Sequence, residues 1–271
     1  MGILYIIFAV LLVILITIYI KYNKKEGFDN DLNLCFYTCF YGSDNNEAFN
    51  IPPIPSKKYK CFYYTNNKLL LEKIKKTKWI GIYDNILTLD DVIDSCMAGK
   101  KPKVLPHTYK ELNDFDYTCF YDSKFGLINE TFVETMIDKY LIQEDYAILF
   151  RKHNVVNRID VMEEFHASMN QERYIIQKEQ YLKYIDTQSK NGLNKITDKH
   201  AMCNVIIRNM KHSKIKDINN TWYSHIQECG IQDQISFFFV KQIYKEYIYV
   251  YDESPCKNTN VDWRCNIEKK I

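Results

Sequence analysis

Short apolar runs alternate with amphipathic segments along most of this chain. The runs are rich in Tyr, Phe, Ile and Val, and they predict seven strands, at residues 33–41, 59–65, 78–83, 115–122, 145–150, 202–208 and 247–251. The segments between them repeat apolar positions at helical spacing, which predicts helices at residues 67–76, 89–98, 129–140, 159–189 (broken near Asn170), 214–229 and 233–245. Strands that alternate with helices are typical of an α/β domain with a mostly parallel, doubly wound sheet.

An uncharged apolar segment precedes this pattern. Residues 3–20 would span ~27 Å as a helix, close to the ~30 Å hydrocarbon layer of a bilayer. A retained single-pass anchor is favoured over a signal peptide, which needs a basic leading region and small residues at its cleavage site, and over a buried core helix. Lys21, Lys24 and Lys25 follow the segment, and no Lys or Arg precedes it. This asymmetry predicts that the main domain lies on the cytosolic side of the bilayer.

The domain organisation follows from these two patterns. We expect a transmembrane anchor at residues 1–20, a polar stalk at 21–32, one α/β domain at 33–251 and a C-terminal tail at 252–271. The formal net charge of this 271-residue chain is only +2. No dense stripe of Lys and Arg with interleaved aromatic residues appears, so nucleic acid is not an expected partner. The nine cysteines lack zinc-binding spacing and lie largely in apolar strands, which favours reduced, buried thiols.

Charged residues at the ends of predicted strands are the first candidates for chemistry. Asp122 ends the fourth strand, and in open α/β sheets ligands bind outside the carboxyl ends of strands; the alternative is that Asp122 only caps a turn. Arg208 ends an apolar strand and would be costly to bury unpaired, so we expect it to meet Asp233 or a ligand phosphate. Asp233 precedes a very apolar helix, where it fits a general base and a helix N-cap equally well.

Nine short motifs follow one another in an order that resembles a known family. They are Tyr37–Gly42, Cys61–Thr65, Trp79, Lys103–His107, Phe120–Asp122, His153…Arg158…Glu164, Asn204–Arg208, Trp222 and Gln232–Phe237. The order resembles the glycosyltransferase-like domain found in plant cell-wall proteins and in bacterial and viral proteins, and it covers residues 33–251. The resemblance implies a GT-A-like fold, and its viral members suggest a viral or virion membrane as the location.

The resemblance also implies roles for particular residues. Catalytic roles fall on Asp233, Gln234 and His107. Binding of a nucleotide-sugar donor or of a glycan or glycoprotein acceptor falls on Thr38, Lys103, His153, Arg158, Glu164, Arg208 and Trp222. A divalent cation (Mn²⁺ or Mg²⁺) would bind at Asp122, where GT-A enzymes carry Asp-x-Asp. Lys124 stands at the position of the second acid. Either Asp122 binds the metal together with other ligands, or the lysine supplies part of the positive charge that the metal would provide.

Three departures from the family pattern leave the activity open. Phe120 and Tyr121 replace the usual residues before Asp122, and four residues that include no proline stretch the spacing from His153. Gln232 replaces an arginine, which removes a permanent cation. The sequence therefore predicts a membrane-anchored glycosyltransferase, with a catalytically degenerate glycan-binding or structural membrane protein as the alternative. A hydrolase is a distant third, because neither G-x-S-x-G nor H-E-x-x-H occurs.

Overall fold

The computed structural model describes residues 32–86, 91–153 and 160–255; the predicted anchor and most of the stalk and tail lie outside these ranges. The strands are β1 (Leu34–Phe40), β2 (Lys60–Thr65), β3 (Ile80–Tyr83), β4 (Tyr117–Tyr121), β5 (Ile148–Lys152), β6 (Ala201–Asn209) and β7 (Ile248–Tyr251). The α-helices are α1 (Lys68–Ile74), α2 (Val92–Val104), α3 (Lys110–Asn113), α4 (Glu130–Met136), α5 (Val161–Ser168), α6 (Glu172–Ile175), α7 (Lys178–Lys190), α8 (Ile215–Cys229) and α9 (Asp233–Ile243). No helix in the described ranges is long and apolar enough to cross a membrane.

The strands form one mixed sheet in the order β3-β2-β1-β4-β6-β5-β7. Neighbouring strands are parallel except at β6, which runs antiparallel to both β4 and β5. The predicted α/β class with a mostly parallel sheet is confirmed. Strand order reverses between β1 and β4, since β2 and β3 extend the sheet on one side and the later strands extend it on the other.

Both faces of the central strands are covered, which explains their nearly continuous apolar sequences. In β1, Tyr37 belongs to a core cluster that also contains Trp222 of α8, whereas its neighbour Phe36 contacts the ring of Tyr59. Successive side chains of a strand point to opposite faces, so these contacts lie on opposite sides of the sheet. The cysteines of β1, β4 and β6 are free thiols, as predicted.

Helix α2 is longer than the sequence predicts. The expected helix ended at residue 98, but α2 continues through Pro102 to Val104 and is capped by the Asp91 side chain. Proline lacks an N–H and therefore removes one helical hydrogen bond, yet the N–H of Leu105, three residues later, still donates to the Lys101 carbonyl. The predicted end of this helix was wrong, because the helix tolerates proline near its C-terminus.

The long helical segment after β5 is broken as predicted. It consists of α5, α6 and α7, and α5 ends at Ser168, close to the expected break at Asn170. A turn of 3₁₀ helix (Pro106–Thr108) and a turn of π-helix (Ile137–Ile142) extend α2 and α4. The 3₁₀ turn was not predicted, whereas the helix predicted at residues 129–140 includes most of the π-helical turn.

Candidate active site

A cleft of about 450 Å³ opens at the carboxyl ends of β1 and β4. It lies where strand order reverses, the usual place for a ligand in an open α/β sheet. Its walls are the end of β1 and the following loop, one face of α2, the end of β4 and a residue of α6. The cations that line it are Lys100 and Lys103 of α2, Lys124 after β4 and Arg173 of α6, and the anions are Asp91 and Asp122.

Two of these lysines are held by one buried carboxylate. Asp233 Oδ2 lies 2.9 Å from Lys100 Nζ and 2.7 Å from Lys103 Nζ. Lys103 Nζ is also 3.8 Å from Asp122 Oδ1 and 5.4 Å from the centre of the Phe120 ring. Lysine is rarely buried unless it is paired, and here the Lys103 side chain is only 7% exposed. The ion pairs therefore fix both ammonium groups at the inner wall of the cleft.

The charges of this cluster stabilise one another. Burial raises the pKa of Asp233, but the ammonium groups of Lys100 and Lys103 outweigh it and hold that pKa at about 2. Burial also disfavours the Lys103 ammonium, yet Asp122 and Asp233 raise the pKa of Lys103 above its ordinary value. Asp233 and Lys103 are therefore both charged at neutral pH, and Asp233 is a weak base. The helix N-cap is Gln232, whose Oε1 accepts from Gln234 N–H, so the prediction of Asp233 as the cap was wrong.

The residues around Asp122 do not fit a divalent cation. Such cations prefer several oxygen ligands, whereas the position two residues after Asp122 is Lys124, and the Lys103 ammonium lies beside the carboxylate. Within residues 32–86, 91–153 and 160–255, no group of three or more His, Cys, Asp or Glu side chains could hold a metal ion. Most charged side chains at this edge of the sheet are ammonium or guanidinium groups, which cannot bind a metal ion.

Arg208 lies beside the start of β4, whereas Asp122 follows the end of that strand. Its strand β6 is antiparallel to β4 and pairs Arg208 with Thr118, near the start of β4. The guanidinium donates to Lys103 O at 2.8 Å, Tyr37 Oη at 3.1 Å and Asn219 Oδ1 at 3.2 Å. The predicted pairing with Asp233 was therefore wrong, because the direction of β6 carries the arginine away from the cleft.

His107 is grouped with Arg208 instead of with Asp122. Its Nδ1 is 3.4 Å from Asn219 Nδ2, and the same amide's oxygen accepts from Arg208. Burial and the nearby cations lower the pKa of His107, although a hydrogen bond opposes them. His107 lies in the turn just beyond the end of α2 and is not one of the residues that line the cleft. The structure therefore does not bring this predicted catalytic residue together with Asp122.

Two other predicted binding residues lie in the core. Trp222 is fully buried, packs against Phe150 and Phe237, and donates from Nε1 to Ser236 Oγ at 3.2 Å. Thr38 is also fully buried, two residues before the end of β1. Neither side chain lines the cleft, so the structure does not bring these two predicted binding residues to it. Both occupy core positions.

A second polar cluster lies between α5 and the carboxyl end of β5, and it contains Glu164, His153 and His200. Glu164 Oε2 is 3.6 Å from His153 Nε2 and 3.7 Å from His200 Nε2. Gln232 Nε2 donates to Glu164 Oε1 at 3.1 Å and to Ser168 Oγ. The predicted neighbours His153 and Glu164 are thus brought together, whereas Arg158 lies outside the described residues. Residue 232 is buried in this cluster, so its change from the family arginine does not remove a cation from the cleft wall.

Two of the cleft cations, Lys100 and Arg173, were not identified from the sequence, whereas Lys103 was predicted as a binding residue. Lys100 lies three residues before Lys103, a spacing that puts both on one helix face, but the predicted helix ended at residue 98, before either lysine. Arg173 lies on the short helix α6, where it contacts the Tyr174 ring. No motif pointed to it. Gln234, a predicted catalytic residue, is half-buried beside Asp233.

Comparison with known proteins confirms the family predicted from the sequence. A model of the TOD1/MUCI70 glycosyltransferase-like domain matches residues 47–260. A search of curated protein sequences found no match.

Similar solved structures include mouse xyloside xylosyltransferase 1, with 8% identity, a TM-score of 0.49, and coverage of 81% of this chain and 85% of that one. Core-mannan synthase A from Aspergillus fumigatus in its Mn/GDP form has 9% identity, a TM-score of 0.43, and coverage of 83% and 74%. The mannosyltransferase Ktr4p from S. cerevisiae has 10% identity, a TM-score of 0.42, and coverage of 82% and 69%.

Proposed function

Because this chain belongs to the TOD1/MUCI70 glycosyltransferase-like domain family, we propose that it transfers a sugar from a nucleotide-sugar donor to a hydroxyl group of a glycan or glycoprotein. The observation that carries the proposal is the cleft at the carboxyl ends of β1 and β4, which is lined by Lys100, Lys103, Lys124 and Arg173. A diphosphate linked to a sugar carries negative charge that such a wall attracts. The cleft volume of about 450 Å³ falls in the range of small-molecule sites.

In the proposed reaction, an acceptor hydroxyl oxygen becomes bonded to the anomeric carbon of the donor sugar. The bond from that carbon to the phosphate oxygen breaks, and its electron pair stays on the departing nucleoside diphosphate. The hydroxyl proton passes to water or to a base. Negative charge grows on the phosphate oxygen as the bond breaks, so fixed positive charge at that place lowers the barrier. Lys100 and Lys103 are held in place by Asp233 and would supply this charge.

Nucleotide-sugar binding in the cleft is tested with a blocking variant. Ser95 lines the cleft from α2, so Ser95→Trp should fill it. At about 100 times the Kd, a bound nucleotide sugar should stabilise the parent by ~2.7 kcal/mol, which raises its Tm by ~5–10 °C for a domain of this size. Thermal unfolding with a panel of nucleotide sugars measures the effect, and release of nucleoside diphosphate in the presence of glycan acceptors measures transfer.

The matched control places the same bulk on the other side of the helix. Lys101 is an exposed residue of α2, and Lys101→Trp should keep the full response to the nucleotide sugar. A panel in which no nucleotide sugar stabilises the parent would overturn the proposed function and favour the glycan-binding alternative. A Ser95→Trp variant that responds like the parent would show that donors bind elsewhere.

We also propose that residues 3–20 hold this domain on a membrane. The support is the uncharged apolar run and the lysines that follow it. The full-length protein should resist carbonate extraction from membranes, whereas deletion of residues 1–25 should release a soluble, folded domain. Recovery of the full-length protein in the carbonate supernatant contradicts the anchor. Protection of residues 33–271 from protease in vesicles whose cytosolic surface faces outward contradicts the cytosolic orientation.

A further inference from the structure

We propose that the fixed lysines of the cleft do the work of a metal ion, so that this protein binds the diphosphate of its donor without a divalent cation. The inference rests on the proposed function, because it concerns how the same cleft holds a nucleoside diphosphate. Its basis is the balance of charged groups at the carboxyl end of β4, where a metal-dependent site needs clustered oxygen ligands.

Asp122 is a poor metal ligand in this cleft. Its Oδ1 already has the Lys103 ammonium at 3.8 Å, and the position that would complete an Asp-x-Asp pair is Lys124. A divalent cation on this carboxylate would be repelled by both ammonium groups, since like charges at short range oppose each other. Asp233 offers no alternative ligand, because its Oδ2 is shared by Lys100 and Lys103.

The cations of the cleft are placed to meet the phosphates of a donor that binds at the carboxyl ends of β1 and β4. Lys100 and Lys103 line the cleft and share a single carboxylate oxygen, so this group of three carries an excess of one positive charge. Lys124 and Arg173 add two cations from other walls, and Asp91 and Asp122 add two carboxylates, so the cleft together with Asp233 keeps a net charge of +1. A metal ion in such a site neutralises the phosphates and stabilises the leaving group. Fixed ammonium groups supply the same charge without reorganising during the reaction.

Lys100 and Lys103 are largely buried and paired before any ligand binds. Side-chain exposure is 14% for Lys100 and 7% for Lys103, and α2 presents Val92, Cys96, Gly99, Lys100 and Lys103 to the cleft along one face. Lysine side chains on a protein surface lose rotamer entropy when they bind a ligand. Here folding has already ordered them, which favours phosphate binding by the free protein.

The first experiment measures the Kd of UDP, GDP, ADP and CDP by calorimetry in EDTA, and again in MnCl₂ and in MgCl₂. For the nucleotide that binds, we expect Kd values in EDTA and in metal that agree within about threefold, a difference of less than 1 kcal/mol. Affinity in EDTA should fall as NaCl rises, because salt screens the attraction between the ammonium groups and the phosphates. Binding that requires metal overturns this inference and leaves the proposed function standing. No binding of any nucleotide in either condition overturns both.

Variants distinguish phosphate binding by the lysines from phosphate binding through a metal ion at Asp122, because the two mechanisms predict opposite effects. Asp122→Asn should tighten nucleoside diphosphate binding about threefold, since it removes a carboxylate that repels the phosphates, whereas loss of a metal ligand would abolish binding.

Lys124→Gln should weaken binding about tenfold through loss of one charged contact. Lys124 is exposed, so folding should survive the change. Lys101→Gln, on the exposed face of α2, is the matched control and should leave the Kd unchanged.

Two results would contradict the inference in this series. An Asp122→Asn variant that no longer binds the nucleotide would identify the carboxylate as a metal ligand. A Lys124→Gln variant whose Kd equals that of Lys101→Gln would show that the charge at position 124 does not contact the phosphates. Thermal unfolding of each variant without nucleotide separates weaker binding from loss of the fold.

Discussion

Replacing Asp233 by asparagine is expected to lower the free energy of unfolding by about 3–5 kcal/mol, the usual cost of leaving buried charge without its partner. Asparagine has nearly the same shape, but it removes the negative charge that Lys100 and Lys103 share. Both ammonium groups would then be buried beside a neutral amide. Urea unfolding at pH 7 measures the loss. If Asp233 acted only as a catalytic base, Asp233→Asn would lose sugar transfer while its free energy of unfolding stayed unchanged.

The pH dependence of stability gives a second readout of the same group. The folded-state pKa of Asp233 is about 2, below its ordinary value of 3.8. A carboxylate with a lowered pKa stabilises the fold above its unfolded pKa, and this contribution is lost as the pH falls through the folded pKa. We expect the parent to lose about 2 kcal/mol from this group between pH 5 and pH 2. Asp233→Asn should lack that part of the slope.

The matched control is a carboxylate that has a lysine partner at the surface. Asp186 and Lys190 of α7 form such a pair: their Oδ2 and Nζ atoms are 2.6 Å apart, and the side chains are 58% and 75% exposed. Because surface ion pairs contribute little, Asp186→Asn should cost less than about 1 kcal/mol at pH 7. Equal losses for the two variants would contradict the view that the buried cluster around Asp233 is the stronger determinant of stability.

Arg208→Met is expected to destabilise the fold by about 3–5 kcal/mol, because three buried acceptors lose a charged donor. Those acceptors are Lys103 O, Tyr37 Oη and Asn219 Oδ1, and Arg208 itself is fully buried. Burial lowers the pKa of Arg208, while the carbonyl of Lys103, in the last turn of α2, lies at the negative end of the helix dipole. Methionine fills much of the same space, so the loss reports on hydrogen bonds more than on packing. Urea unfolding measures it.

Two further variants test this account of Arg208. Arg208→Lys keeps the charge but cannot reach three acceptors at once, so its stability should fall between that of the parent and that of the methionine variant. Arg151→Met on the neighbouring strand β5 removes a half-buried arginine and should cost less than about 1 kcal/mol. If Arg208→Met is as stable as the parent, the cost of burying the guanidinium cancels its hydrogen bonds.

The strands and most helices were predictable because burial leaves a direct record in the sequence. β4 reads Tyr-Thr-Cys-Phe-Tyr, which is apolar at most positions because both faces of the sheet are covered. Strand direction leaves no such record. The apolar run that ends in Arg208 has the same composition whether β6 is parallel or antiparallel, so its reversal and the resulting position of Arg208 were not predictable.

The candidate site was predictable only in part for a related reason. Asp122 was identified because the end of a strand is visible in the sequence, and the structure places it in the cleft. The partnership of Asp233 with Lys100 joins residues 133 positions apart, and nothing local in the sequence marks such a contact. Pro102 added a misleading signal, since proline usually ends a helix before its own position.

The position of β6 between β4 and β5 has a consequence for the protein during its synthesis. β1 to β4 can pair with one another as soon as residue 121 is made, but the edge of β4 gains its partner only when residues 201–209 emerge. At the usual pace of translation this delay is roughly 5–15 s. During it the ribosome holds a parallel half-sheet whose open edge is uncharged, the kind of edge that recruits strands from other chains. We therefore expect the nascent chain to be most prone to pairing with other chains before its sixth strand emerges.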